Sequence, residues 1–128
     1  MKAVVEMLAG LALAAFPAIA VTFLTGQRSD ELAMVVLGRI AGVALLALGI
    51  TCWLARMHGQ SRAAIGLVWA LLFYDLSAVL IFLSTHFGMG LVGIGLWPAI
   101  ALHSGLGVWS LLLLMNLKRD SPAELRNP

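Results

Sequence analysis

The chain has 128 residues, of which 62% are hydrophobic and 11% are charged, and its net charge at pH 7 is +2. A mean hydropathy of +1.02 lies outside the range of soluble domains, so the composition indicates an integral membrane protein. The basic residues are too few and too scattered to follow a phosphate backbone, so nucleic acid is not an expected partner. Cys52 is the single cysteine, which excludes an internal disulfide and a cysteine-based redox pair or zinc site.

Four apolar runs are each long enough to cross a hydrocarbon core of about 30 Å. The sequence therefore predicts an all-α fold, an integral membrane four-helix bundle that forms a single transmembrane domain. The joints between the runs are short, which leaves no room for a soluble domain. The predicted helices cover residues about 4–25, 32–55, 63–85 and 91–117, and a polar tail covers 118–128.

The first run has features of a secretory signal, but Glu6 stands where such a signal needs a basic region. We therefore interpret this segment as the first membrane helix. Pro17 lacks an amide hydrogen and is expected to bend it, as Pro98 is expected to bend the fourth helix. Small residues recur every four positions, which lets a neighbouring backbone come close. This small-residue face consists of Gly10, Ala14 and Ala18.

Glycines define one side of the second predicted helix. At about 100° per residue, Gly38, Gly42 and Gly49 fall within about 40° of one another, and we call them the glycine seam. Such a seam is typical of close helix packing, either within the bundle or between copies of the chain. The same helix carries Arg39, a charge in an apolar run that needs a partner or a route to the headgroups.

The basic residues predict the orientation in the membrane. With four crossings, both termini and the joint between the second and third helices lie on one side. Arg28 alone lies in the joints on the other side, so the positive-inside rule places the N- and C-termini of a multi-pass inner-membrane protein in the cytoplasm. The basic residues on the predicted cytoplasmic side are Lys2, Arg56, Arg62, Lys118, Arg119 and Arg126.

Three polar residues fall at similar depths in the predicted helices. Counted from the outer helix ends at about 1.5 Å per residue, Arg39 lies roughly 12 Å deep, Asp75 roughly 15 Å and His103 roughly 18 Å. An ionised aspartate alone near the bilayer centre costs at least about 2.5–3.5 kcal/mol, and its side chain is too short to reach water. We therefore predict an ion pair between Arg39 and Asp75, with His103 close enough to join this polar layer.

Each residue of the polar layer has a structural alternative. The side chain of Arg39 is long enough to extend towards the outer headgroups. Asp75 could be a protonated carboxyl bonded to Tyr74 or Ser77, could face a water-filled cavity, or could pair only to fix helix register. His103 could be a neutral, hydrogen-bonded core residue.

Haem requires a separate test, because membrane four-helix bundles often bind it through pairs of histidines. His86 lies at the outer end of the third predicted helix, His103 lies near mid-membrane, and His58 lies on the opposite side. This mismatch in depth disfavours haem, and we expect no cofactor and no metal. The sequence contains no phosphate-binding, dinucleotide-binding or zinc-protease motif, and no catalytic residue is identified.

The whole chain resembles a loose group of small four-helix bacterial membrane proteins, some of them DoxX-like, in which a Gly-Arg step opens a helix. Here the step is Gly38-Arg39. The resemblance implies the four-helix membrane fold and no particular activity. In length and helix number the chain also looks similar to the small multidrug resistance transporters, which depend on a glutamate well inside the first helix. Glu6 lies near the cytoplasmic end of the predicted helix and departs from that pattern.

Three functions are compatible with these features. The first is a non-enzymatic accessory or structural subunit that packs against other membrane proteins, or against copies of itself, through the glycine seam or the small-residue face. The second is a small oligomeric transporter or proton-coupled carrier, with Asp75 as the titrating group and Arg39 as its counter-charge. The third is a lipid-modifying enzyme with His103 as base and with Arg39 holding an anionic headgroup, which requires that the polar layer opens to lipid or water. Membrane lipids are expected partners in all three.

Overall fold

The computed structural model describes residues 2–28, 31–57, 61–90 and 92–120, with side chains described as far as Asn116. Over these residues the chain is all-helical and contains no strand, which confirms the all-α part of the predicted fold class. The helices are α1 (Lys2–Ala15), α2 (Pro17–Thr25), α3 (Leu32–Ala55), α4 (Arg62–Met89) and α5 (Leu96–Asp120).

Three helices, α3, α4 and α5, are long and apolar enough to cross a membrane. The helices α1 and α2 pass the same test only together, as one bent pair. The described residues therefore contain three candidate spans, or four if the bent pair is one span.

The first predicted helix is broken in two. α1 ends at Ala15, α2 begins at Pro17, and the two helices are bent by 111° relative to each other. Phe16 between them leaves the helical region, with φ −130° and ψ 58°. Pro17 occupies the first position of α2, where a helix needs no amide donor. The expected bend is thus a break that turns the chain sideways.

The α3 helix has the predicted bounds, whereas α4 is longer than predicted. α4 continues through Met89, beyond the predicted end near residue 85, and is terminated by Gly90, whose φ is 66°. The left-handed conformation of Gly90 is the usual end of a helix. At the other end, Ser61 caps α4 by accepting a hydrogen bond of 3.2 Å from the amide of Ala64.

The α5 helix begins at Leu96, later than the predicted residue 91. The amide of Gly95 donates a hydrogen bond of 2.9 Å to the carbonyl of Phe23, so the segment before α5 binds the end of α2. Pro98 consequently lies in the first turn of α5, where proline fits a helix. The expected bend at Pro98 is therefore wrong. The predicted tail begins inside α5, and residues 121–128 lie outside the described part of the chain.

The helices form two pairs. α1 packs along α3, and α4 packs along α5, while direct contact between the two pairs is sparse. α2 touches both α3 and α5 and so links the pairs at one end. The space between the pairs is where the candidate site lies.

Apolar side chains cover the outside of the fold. The described residues bury few large apolar side chains, whereas every helix exposes at least two and α3, α4 and α5 expose many. A soluble protein buries such groups, and a bilayer solvates them. The outer surface is therefore the kind that lipid would cover. The buried apolar side chains are Leu71, Leu72, Leu96, Ile100 and Leu114.

Candidate functional site

Glycines set the distance between α1 and α3. A Cβ atom added to Gly42 would lie 2.7 Å from the carbonyl oxygen of Gly10 and 2.8 Å from the Cα of Ala14. A Cβ added to Gly49 would lie 2.6 Å from Cγ of Met7 in α1. A Cβ added to Gly38 would lie 2.8 Å from Cβ of Pro17, the first residue of α2. Gly42 and Gly49 therefore pack against the backbone of α1, Gly38 packs against the start of α2, and two members of the small-residue face take part.

This contact lies within a single chain. Ala18, the third member of the small-residue face, belongs to α2 beyond the break at Pro17 and so does not extend the contact along α1. The accessory-subunit hypothesis assigned the glycine seam and the small-residue face to a partner protein. The structure shows that the glycine seam is covered within the chain, where Gly42 lies against Gly10 and Ala14 of the small-residue face.

Asp75 is the centre of a buried ionic cluster. Its side chain lies in the middle of α4 and is 0% exposed. The Nζ of Lys2 donates a hydrogen bond to Oδ2 of Asp75 and forms an ion pair with it. The Oδ1 of Asp75 lies 3.0 Å from Nδ1 of His103, and Lys2 also donates to Oγ of Ser110 at 3.1 Å. The cluster therefore joins α1, α4 and α5.

Arg39 takes no part in this ionic cluster. Its side chain is exposed on α3, and Asp75 is paired with Lys2 and His103 instead. One residue after Gly38, the side chain of Arg39 is turned about 100° away from the seam that faces α1. The predicted ion pair between Arg39 and Asp75 is therefore wrong, and the structure brings together only Asp75 and His103 of the predicted polar layer.

Lys2 is the residue that sequence reasoning missed. A lysine close to the start of the chain is usually interpreted as a charge at the membrane boundary that sets the orientation of the first helix. A signal was nevertheless present, because Lys2 and Glu6 are four residues apart and share one face of an otherwise apolar helix. Charges on one face of such a helix are expected to turn towards the bundle interior.

His103 is held in one orientation. Because the carboxylate of Asp75 pairs with the ammonium group of Lys2, Nδ1 of His103 acts as the donor to Asp75. The ring lies against Tyr74 in an edge arrangement, with centroids 5.4 Å apart, and its centroid lies 6.1 Å from that of Phe82. In neutral imidazole the other ring nitrogen, Nε2, is then an acceptor.

Glu6 is a second buried carboxyl group beside the ionic cluster. It is 2% exposed, and Lys2, Asp75 and His103 all lie within electrostatic range of it. No hydrogen bond joins Glu6 to another residue in the described ranges, and its Oε1 is buried without a partner. Buried carboxyl oxygens normally accept hydrogen bonds, so Glu6 is the exception in this fold.

A cavity separates the two helix pairs. It has a volume of about 1010 Å³ and is lined by residues of all five helices. Glu6, Tyr74 and His103 supply polar atoms to its wall, and the remaining lining residues are apolar. The end of α2 closes part of the wall through Phe23, beside Gly95. One side of the ionic cluster therefore borders a large apolar space.

Small side chains explain why this space stays open. Alanines on α1, α3 and α5 line much of the cavity, and their methyl groups are too short to meet across the gap. The ionic cluster and α2 bridge the two pairs at different places, which keeps them from closing on each other. The alanines at the wall include Ala9, Ala12, Ala41, Ala44 and Ala99.

His86 stands apart from the cavity. The ring of His86 has edge contacts with Phe87 and Trp97, at centroid distances of 5.1 and 5.3 Å. His58 lies outside the described residues. In the part of the chain that the structure describes, no three His, Cys, Asp or Glu side chains are grouped so that they could hold a metal ion.

Comparison with protein-family models, with curated proteins and with solved structures finds no match to this chain. In the part of the chain that the structure describes, the fold is all-helical, with three or four spans apolar enough to cross a membrane. Its function has to be inferred from the cavity and the ionic cluster.

Proposed function

We propose that this chain is a multi-pass membrane protein that binds a lipophilic small molecule in the cavity between its two helix pairs. The observation that carries the proposal is the cavity of about 1010 Å³ with an apolar wall and a few polar side chains at one place. Sites for small molecules are typically about 300–1,000 Å³, mostly apolar, with a small number of polar groups that orient the ligand.

The apolar wall favours a lipophile as the occupant. Such a molecule gains dispersion contacts with the alanine, leucine and phenylalanine side chains that line the cavity. Water would find hydrogen-bond partners only at Glu6, Tyr74 and His103. The exposed apolar surface of the helices is suited to lipid, which is also the natural source of a lipophile.

We further place both termini in the cytoplasm, in the inner membrane of the cell. Because Gly49 contacts the start of α1 and Gly42 contacts Ala14 near its end, α1 is antiparallel to α3 and begins near the end of α3 that carries Arg56. Lys2 belongs to the ionic cluster, so we do not count it among the charges at the membrane boundary. Arg56, Arg62 and the basic residues after Leu117 still outnumber Arg28 on the opposite side, which favours this orientation.

A proton-coupled carrier is the second candidate. It is favoured by Glu6 and His103, which line the cavity and also lie beside the buried charges of Lys2 and Asp75. A bound molecule and a proton at this place would influence each other electrostatically. In this carrier Lys2 is the counter-charge of Asp75, a role that the sequence-based hypothesis gave to Arg39.

Filling the cavity tests the proposed function. Ala44 lines the cavity from α3, whereas Ala47 lies on the same helix and outside the lining. Native mass spectrometry of the full chain, released from lipid nanodiscs, should show a retained small lipophile on the unchanged protein and on Ala47→Trp. In Ala44→Trp the indole occupies the cavity, and the bound fraction should fall at least about tenfold.

Two results would contradict the proposal. Equal retention by Ala44→Trp and Ala47→Trp would mean that the molecule is bound to the outer surface. A stoichiometric companion protein on a chain without any small molecule would instead support the accessory subunit, with a contact surface other than the glycine seam.

A further inference from the structure

Glu6 is an unpaired acceptor on an apolar wall. Its side chain is 2% exposed, and it lines the cavity. Within the described residues it makes no hydrogen bond, and its Oε1 is enclosed without a partner. A buried acceptor without a donor costs free energy that a correctly placed donor recovers. Because Glu6 lines the cavity, a small movement of its side chain would let a donor in the cavity reach its carboxyl group.

The neighbouring side chains among the described residues do not donate a hydrogen bond to Glu6. Lys2 donates to Asp75 and to Ser110. Nδ1 of His103 lies in hydrogen-bond distance of Asp75, and in neutral imidazole Nε2 is an acceptor. A molecule in the cavity can supply the donor that Glu6 lacks.

Desolvation disfavours a cation in this position. Lys2 and Asp75 carry opposite charges and both lie within electrostatic range of Glu6, so their effects on a cationic headgroup oppose each other. A cation would lose its hydration among apolar side chains, which is far more costly than for a neutral group. A neutral hydroxyl avoids this cost and still donates one hydrogen bond.

The apolar body of the ligand has room towards α2. Glu6 and Phe16 both line the cavity and are ten residues apart along the chain, which corresponds to about 15 Å of helix. Beyond Phe16, α2 turns across the space and contributes Phe23 to the wall. The cavity is therefore suited to an elongated molecule with its polar end at Glu6 and its apolar end at α2.

We propose that the occupant is a neutral lipophilic alcohol, whose hydroxyl group donates a hydrogen bond to the carboxyl group of Glu6 while its chain lies along the cavity towards α2. The hydroxyl oxygen or a second hydroxyl group can use Tyr74 and Nε2 of His103, which share this wall. The proposal rests on the proposed function, since it names the chemical class of the molecule in the same cavity.

Three probes with one apolar body test the headgroup. Farnesol has a hydroxyl donor, farnesyl methyl ether has no donor, and farnesyltrimethylammonium has a permanent positive charge. Each probe is titrated against the full chain in nanodiscs of phosphatidylcholine, and the bound fraction is read by native mass spectrometry. Farnesol should bind about tenfold more tightly than the ether, and the ammonium compound should bind no more tightly than the ether.

Two substitutions of Glu6 assign the preference to its carboxyl group. Glu6→Gln keeps a carbonyl acceptor and should keep most of the preference for the alcohol. Glu6→Leu removes the acceptor and should make the alcohol and the ether bind equally, with the affinity for the ether unchanged. Glu31→Leu is the control, because Glu31 is exposed before α3 and lies outside the cavity. The comparison of the three probes uses the unchanged chain, so its result does not depend on whether a variant folds.

The outcomes separate the two proposals. If the three probes bind equally, the cavity accepts lipophiles but the assignment of the headgroup is overturned. If the ammonium compound binds most tightly and Glu6→Gln abolishes its binding, the occupant is a cation and the alcohol is overturned. If Glu6→Leu keeps the preference, another residue is the acceptor. If none of the three probes binds, the proposed function and the assignment of an alcohol both fail.

Discussion

Small residues line both the α1/α3 contact and the space between the two helix pairs, but the first is tightly packed and the second is a cavity. Between α1 and α3, glycine faces backbone, and an added Cβ on Gly42 would overlap the opposite helix. Between the pairs, alanines line a cavity of about 1010 Å³. Small residues therefore allow close packing between α1 and α3 and leave an open space between the two helix pairs.

The difference shows what small residues do in an apolar helix. They allow close approach, but a second feature decides whether the helices use it. α1 and α3 run antiparallel with glycines in register, so nothing intervenes. The two pairs are instead bridged by the cluster around Asp75 and by the contact of Gly95 with Phe23, and these bridges hold the alanines apart.

The largest expected effect comes from breaking the ionic bridge. Asp75→Asn leaves the ammonium group of Lys2 in the interior without its counter-charge. Breaking a buried pair costs about 3–5 kcal/mol, and we expect the lower end, about 3 kcal/mol, because the side chain of Lys2 is 13% exposed. The loss in unfolding free energy is measured by titration of mixed micelles with a denaturing detergent, followed by tryptophan fluorescence.

A double variant controls for the loss of charge. Combining Asp75→Asn with Lys2→Met removes both ions and should recover most of the stability. If the double variant is as unstable as Asp75→Asn, the ion pair does not hold the helix pairs together. In proteoliposomes, Asp75→Asn also tests the carrier, because unchanged movement of the bound molecule across the membrane would exclude a role for this cluster in transport.

The closed interface should respond strongly to a single methyl group. Gly42→Ala places a Cβ against the backbone of Ala14 and Gly10, which cannot move aside as a side chain can. We expect a loss of about 2 kcal/mol in unfolding free energy. Gly105→Ala is the matched control on α5, where nothing lies within 4 Å of the added Cβ. Alanine should be neutral there or stabilise the helix by up to about 1 kcal/mol.

Equal effects of the two alanine substitutions would show that the glycine seam is not the contact between α1 and α3. The measurement is the same detergent titration, so that the two variants and the ionic variants share one scale.

The smallest expected effect belongs to Arg39. Because its side chain is exposed on α3, Arg39→Gln should change the unfolding free energy by no more than about 0.5 kcal/mol. Lys2→Gln, which leaves the buried carboxylate of Asp75 without its cation, should cost about 2 kcal/mol or more. If Arg39→Gln is the more damaging of the two, Arg39 is the counter-charge and the assignment of Lys2 is wrong.

Much of the fold was predictable because apolar length is a strong signal. The bounds of α3 follow from one uninterrupted run between polar joints, and the all-α class follows from composition. The later start of α5 was not predictable, since Gly93 and Gly95 stay out of the helix only because α2 lies against them. The full break at Pro17 has the same cause, because a proline permits a bend and the surrounding contacts decide how large it is.

The candidate site was predictable in part. A buried aspartate near mid-membrane requires a partner, and the matching depth of His103 identified one of them. The other partner could not be chosen by depth alone, because depth along a helix contains no information about the direction of the side chain. Arg39 points away from α1 on the exposed side of α3, whereas Lys2 reaches Asp75 from the start of α1. In the sequence, Glu6 stands out only as a mismatch with a secretory signal and as a departure from a family pattern.

The sequence by itself determined that the chain is helical, that its helices are apolar enough to span a membrane, and that a few charges had to be paired inside it. These conclusions depend on composition and on periodicity along single helices, which are local properties. Only the tertiary structure decided that Lys2 is the partner of Asp75, that Glu6 lacks one, and that a cavity separates the helix pairs. Each of these depends on how far apart two helices lie and how they are rotated, and neither quantity is encoded within one helix.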